Sequence, residues 1–173
     1  MRAFIGIPLD NKTENFLQSY RKHFKNIKMP AAMHITLKFL GEIKEEKIPG
    51  IIKAIERGPE GLERFEISIN RISAFPSEKK AAVIWAGIGE GGKKISGIFS
   101  RIEAELESEG IKKEKRQFIP HITVARANKP FDISRVKAEM KYPASTMAEK
   151  IVLYKSELTQ KGAVHTVLYE RKL

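Results

Sequence analysis

The sequence predicts an α+β fold of duplicated, bilobal design, with two antiparallel sheets flanking a central cleft and helices on the outside. Three observations carry this expectation. Stretches with strand-like alternation interleave with stretches of helical spacing. The tripeptide His-Ile-Thr heads two of the strand-like stretches, at His34 and at His121. A similar run of elements follows each, at a separation longer than the roughly 20 to 50 residues of a solenoid repeat.

Taken in order, "RAFIGIPL" (Arg2 to Leu9) reads as a strand, and residues 11 to 28 read as a helix with Phe16, Tyr20, His23, Phe24 and Ile27 on one stripe. "MHITLKFL" is the next strand. A helix follows around "EEKIPGIIKAIERG", with Pro49 in the first turn, where its missing N–H costs nothing, and Gly58 as the stop. "FEISINRISAF" and "AAVIWAGI" are two further strands, and the glycines of "GEGG" (Gly89 to Gly92) mark a turn at the junction of the halves. The second half opens with a helix through "GKKISGIFSRIEAELESEG", whose stripe is Ile95, Ile98, Phe99, Ile102 and Leu106 and whose stop is Gly110. Then come a strand at "FIPHITVARA", a shorter helix near "DISRVKAEMK", and the strands "EKIVLYKSEL" and "AVHTVLYERKL".

Composition narrows the function classes. The 173 residues, 42% of them apolar, suffice for a single domain, 1–173, made of two lobes. Lys and Arg number 32 against 21 Asp and Glu, a net charge of +11, which suits an anionic partner or a lysine-rich surface of a heat-tolerant protein. There is no cysteine, so disulfides, thiolate nucleophiles and sulfur-bound zinc are excluded. No apolar run approaches the roughly 20 residues of a membrane span, and the first ten residues do not form a signal peptide; a cytoplasmic protein is expected.

The repeated tripeptide carries the chemistry. On a strand, alternate side chains share a face, so Met33, Ile35, Leu37 and Phe39 point one way while His34, Thr36 and Lys38 point the other. The same parity buries Ile122 and Val124 and leaves His121 beside Thr123. Two imidazoles and two hydroxyls facing one another across a cleft suit phosphodiester cleavage. A neutral imidazole removes a proton from water, a protonated one supplies a proton to the departing oxygen, and the hydroxyls donate to phosphate oxygens. Of the other two histidines, His23 sits on the apolar stripe of the first helix, and His165 has its threonine at the next position, on the opposite face; both read as structural or surface residues. No HExxH, GxSxG or P-loop pattern is present, and no metal and no cofactor are expected.

With both His-x-Thr strands in place, the sequence resembles the 2H phosphoesterase superfamily, and more narrowly its RNA 2′,3′-cyclic phosphodiesterase (2′-5′ RNA ligase-like) branch. The similarity extends over "RAFIGIPL", "MHITLKFLGEI", "ISAFPSEKKAAVIWAGI", "FIPHITVARA" and "IVLYKSELTQKGAVHTVLYE", with Trp85 among its markers. It implies a metal-independent hydrolase that opens a terminal 2′,3′-cyclic phosphate on RNA, tRNA fragments included, to a 2′-phosphate, and that works as a monomer. His34 and His121 are then the catalytic pair, with His121 favoured to activate water and His34 to protonate the 3′ oxygen. Sequence chemistry leaves those two roles open. Thr36 and Thr123 hold the phosphate. Arg126 joins them if the strand ends, twists or bulges after Val124, since strict alternation puts it on the far face. Phe4 is the candidate for stacking on a terminal base, with a core position as the alternative, and Lys38 is the candidate for adding positive field, with a solvated strand lysine as the alternative. A phosphate-binding module without turnover, a 2′-5′ RNA ligase and a small cyclic-nucleotide phosphodiesterase would use the same residues.

Overall fold

Asp10 accepts a hydrogen bond from the Thr13 backbone N–H at 2.6 Å and so caps the first helix, which places the preceding "RAFIGIP" in strand β1 (Arg2–Pro8) and the following residues in α1 (Asn11–Gln18). The structure is a computed structural model that describes residues 1–24, 27–138, 145–160 and 162–173. The first helix is shorter than its apolar stripe suggests: it tightens into a 3₁₀ turn at Ser19–His23, and residues 25 and 26 of the expected helix lie outside the described residues. Strand β2 (His34–Glu42) follows, then α2 (Ile48–Arg57), with Pro49 in its first turn and Gly58 at its end as expected.

The stretch "FEISINRISAF" divides. Its first part is β3 (Phe65–Ile67) and its second is β4 (Ile69–Phe75). β5 (Ala81–Ile88) leads into α3 (Gly92–Ser108), which buries Ile95, Ile98, Ile102 and Leu106, each contributing about 1.5 to 3 kcal/mol. Phe99 is partly buried and stacks on Phe118 at 4.1 Å. The chain continues through β6 (His121–Phe131), α4 (Ser134–Lys137), β7 (Thr146–Ala148), β8 (Lys150–Thr159) and β9 (Gly162–Lys172). The last helix is a single turn, and residues 139–141 of the expected segment lie outside the described residues.

The α+β class holds, and the sheets are unequal. β4-β5-β6-β2-β1-β8-β9 form one antiparallel order, while β3 pairs with β7 in a two-stranded sheet. The large sheet is joined at its middle by one residue pair, Ile35 opposite Ile122, whereas its other neighbours pair over four to ten residues. It is therefore made of two blocks, β4-β5-β6 and β2-β1-β8-β9, that meet where the two His-Ile-Thr strands touch.

Apart from the added edge strand β9, the order is palindromic about that junction: β1 corresponds to β5, β2 to β6, β4 to β8, and β3 to its own partner β7. The repeated unit is thus strand, helix, His-Ile-Thr strand, helix, strand, strand. This corrects the boundary read from sequence. β5 begins the second unit instead of ending the first, and "GEGG" is the link from β5 to α3, with Gly91 at φ +80° where a Cβ would meet the Glu66 carbonyl at 2.6 Å. The units also exchange their last strands, because β4 of the first completes the block of β6 and β8 of the second completes the block of β2. Each half of the chain is needed to finish the other's sheet.

Candidate active site

Antiparallel pairing of Ile35 with Ile122 determines what lies on the other face of the junction. One step along each strand, His34 comes opposite Thr123 and Thr36 opposite His121. Ile35 and Ile122 are fully buried beneath, so the four polar side chains are held on a packed floor. The two imidazoles therefore occupy opposite corners of one small polar patch, and a charge on His121 reaches His34.

Each imidazole is oriented in the same way by its own backbone. His121 Nδ1 lies 2.7 Å from the carbonyl oxygen of Ile119. A carbonyl only accepts, so Nδ1 carries the proton and Nε2 is left as the working nitrogen. The backbone of Ala32, also two residues upstream, bonds to His34 and favours its protonated form. Around His121 stand Trp85 (5.9 Å between ring centres) and Phe75 (5.8 Å), both edge-on. Arg71 lies over the Trp85 ring at 5.2 Å.

His34 is packed in a cluster that sequence did not anticipate. Phe4 stacks on it at 4.6 Å and Tyr154 lies 6.1 Å away, while His165 meets it edge-on at 5.5 Å. The close approach of β1 is possible because residue 6 is glycine: a Cβ there would stand 3.0 Å from the Ile35 oxygen and 3.5 Å from the His34 ring. Burial first, then the charges of His165 and Arg126, hold the His34 pKa at about 4. His121 is also shifted down, mainly by burial and further by Arg126, with the Ile119 bond opposing.

A cavity of about 670 Å³ opens over this cluster. Among the described residues its wall includes His34, Thr36, Thr123, Arg126 and His165, with the cations Arg2, Arg21 and Lys28, and it contains no carboxylate. His121 lies beside the cavity, across from Thr36, and is not part of its wall. The loop that precedes β2 is tied down on Arg126, whose backbone N–H donates to the Lys28 oxygen at 2.8 Å and whose oxygen accepts from the Lys28 N–H at 3.2 Å.

Arg126 reaches this cavity by the device that strict alternation required. In the pairing of β5 with β6, Trp85 stands opposite Thr123 and Ile84 opposite Ala125, leaving Val124 as an extra, bulged residue. Alternation resumes one residue out of phase, so Ala125 is buried and Arg126 emerges on the histidine side. β2 has the same bulge in the same place. Gly6 pairs with Thr36 and Ile5 with Lys38, so Leu37 is the extra residue. The expected face assignment beyond Leu37 is therefore inverted: Phe39 points out and Lys38 points in.

Two sequence expectations need correction in consequence. Lys38 is 6% exposed and pairs with Glu103 of α3 at 2.6 Å while donating to the Lys112 oxygen at 2.8 Å, so it braces the back of the sheet and adds no field to the site. Phe4 lines the cavity but is 2% exposed and packed against His34, Tyr154 and His165, so it offers a base almost no surface. It is a wall behind His34. His165, read as structural or peripheral, is in the cluster, and its Nδ1 is buried without a hydrogen-bond partner among the described residues. Its "HT" spacing gave no sign of this; the contact depends on β9 pairing with β8, where Ser156 faces His165, and β8 pairing with β1.

Among the described residues no group of three or more His, Cys, Asp or Glu side chains is placed to hold a metal ion. Among the described residues no helix is long and apolar enough to cross a membrane.

The sequence profile of the 2′-5′ RNA ligase superfamily matches residues 9–160, and the chain belongs to that family. Curated relatives named RNA 2′,3′-cyclic phosphodiesterase include one from Methanocaldococcus jannaschii, 31% identical over 98% of this chain and 99% of its own, and one from Aquifex aeolicus, 29% identical over 98% and 96%. A crystal structure of a Thermus thermophilus protein superimposes with a TM-score of 0.81 at 26% identity, covering 100% of this chain and 98% of that one. LigT of E. coli complexed with 3′-AMP has the same fold, with a TM-score of 0.81 at 22% identity over 99% and 97%.

Proposed function

We propose that this protein hydrolyses the terminal 2′,3′-cyclic phosphate of RNA, tRNA fragments among its substrates, to a 2′-phosphate. The single observation that carries this reading is the antiparallel junction that sets His34 across from Thr123 and Thr36 across from His121 beside a cavity walled by four cations. The names of the curated relatives support the substrate class. The reading includes a monomeric enzyme of the cytoplasm.

In the mechanism, Thr36, Thr123 and Arg126 hold the non-bridging phosphate oxygens. His121, its Nδ1 proton committed to Ile119, takes a proton from water at Nε2 as the water oxygen attacks phosphorus. The bond from phosphorus to the 3′ oxygen breaks, and His34 protonates that oxygen, leaving a 2′-phosphomonoester and a free 3′ hydroxyl. A second turnover requires the proton to pass back from His121 through solvent to His34. His34 is neutral in the empty site at pH 7, because burial, His165 and Arg126 all oppose its charge. The anionic phosphate counters the last two effects, so substrate binding raises the proton affinity of His34.

Replacing His34 or His121 by Ala is expected to abolish product formation from a cyclic-phosphate oligonucleotide while changing its affinity by only a few-fold, and chelators should have no effect. The test is chromatographic detection of the new phosphomonoester beside a binding titration. A protein that binds the oligonucleotide and never yields the monoester, or one that retains full turnover in both variants, refutes the proposal.

A further inference from the structure

β9 is the strand that the repeat does not account for, and it adds to the site on one side only. Across the block it completes, register sets three side chains in a row. Ala3 pairs with Lys155, so one step along each strand Arg2 comes opposite Ser156, and Ser156 in turn pairs with His165. All three line the 670 Å³ cavity. They stand beside the proposed acid, since the His165 ring centre is 5.5 Å from that of His34, and the charge of Arg2 reaches His165. Among the described residues the opposite block ends at β4, with no strand to supply a counterpart of His165.

The row is unsatisfied from within the protein. Arg2 forms no ion pair among the described residues: Glu42, its partner in register, instead meets the N-terminal ammonium at 3.4 Å. The Ser156 hydroxyl makes no hydrogen bond among the described residues, and His165 Nδ1 is buried without a partner there. An Nδ1 with no acceptor in reach leaves the proton of the neutral ring on Nε2, so His165 is a donor at that nitrogen. This is the opposite tautomer to that of His121, whose bare Nε2 accepts. Guanidinium, hydroxyl and imidazole N–H all donate, on a wall that holds no carboxylate to take them. Their complement is an anion.

We propose that Arg2, Ser156 and His165 form a second phosphate subsite, which takes the phosphodiester on the 5′ side of the terminal nucleotide. This rests on the reading of the substrate as RNA, and it gives that substrate a direction. The reactive phosphate lies at the junction, where the two halves present the same His-Ile-Thr side chains. β9 has no counterpart, so the row it completes distinguishes one half from the other. His34 serves the 3′ oxygen, which places the terminal ribose over the β2-β1-β8-β9 block, and the next anion along the chain falls on Arg2, Ser156 and His165. Contacts to a phosphate fix register and orientation without reading the base.

Calorimetric titration with adenosine 2′-monophosphate, adenosine 2′,5′-bisphosphate and an RNA dinucleotide ending in a 2′-phosphate reads binding without turnover, so it is decided separately from hydrolysis. The wild type should bind the bisphosphate and the dinucleotide roughly 10- to 150-fold more tightly than the monophosphate, the range of a hydrogen bond to a charged group. Arg2→Gln and His165→Phe should each lower both ratios by roughly 10-fold. Lys155→Gln, which removes a cation from the opposite face of β8, should keep both at the wild-type values. Arg2 is exposed and a phenyl ring fills the space of the imidazole, so both variants are expected to fold, which circular dichroism verifies. Ratios near 1 in the wild type, ratios that Arg2→Gln leaves unchanged, an equal fall in Lys155→Gln, or a response confined to the bisphosphate overturns the proposal.

Discussion

His34 and His121 both titrate below the ordinary histidine value of 6.5, and this sets the acid–base behaviour of the site. Paired catalysis needs one imidazole charged and one neutral, and kcat/KM reports the free enzyme. The maximum of kcat/KM is therefore expected between the two apparent values of the pair, below pH 6.5; a maximum above pH 7 would contradict it. His165 contributes to the depression of His34 through its own charge, second to burial. Replacing it with Gln removes that repulsion, so the acid limb of the profile should move to higher pH. A role in packing alone would leave the limb where it is. At this scale the proposed catalytic pair was legible in sequence, since His-Ile-Thr occurs twice with matched context. His165 was not, because its neighbourhood arises from strand pairing across the chain, from β1 through β8 to β9.

At the level of elements, the bulges at Leu37 and Val124 decide which side chains enter the site. Periodicity assigns faces by parity, and one inserted residue inverts every assignment after it. The inversion explains why Arg126 reaches the cavity, why Phe39 does, and why Lys38 is buried. Lys38 and Glu103 then become a test of the packing of β2 on α3. Lys38→Ala leaves a carboxylate buried beside the Glu114 backbone N–H it accepts from, and should cost about 3 to 5 kcal/mol in urea unfolding. The double variant Lys38→Met with Glu103→Leu should recover most of that loss, because two matched apolar side chains replace a desolvated pair. Failure of the double variant to recover would mean that the hydrogen bonds to Lys112 and Glu114 matter more than the charges.

For the molecule as a whole, burial of neutral His34 makes stability depend on pH. Its folded-state value of about 4 lies below the ordinary 6.5, so the unfolded chain binds the extra proton. Its effect on stability is at its most favourable above pH 6.5 and is lost as pH falls towards 4, by about 3 kcal/mol. Denaturant unfolding of the wild type and His34→Gln at pH 7 and pH 4 checks this: the wild type should lose about 3 kcal/mol more than the variant over that interval. The exchange of last strands between the repeated units adds that neither half of the chain contains a finished block of sheet.

By itself the sequence determined the α+β class, nearly every element, the paired histidines and threonines, and the chemistry they suit. These are properties of local periodicity and residue type, and both are written along the chain. Only the tertiary structure decided that β5 opens the second unit, that the units trade strands, that Arg126 and Phe39 turn into the cavity, and that Phe4 and His165 enclose His34. Each of those depends on register between strands distant in the chain, where a single extra residue, with no signature of its own, changes the face that a side chain presents.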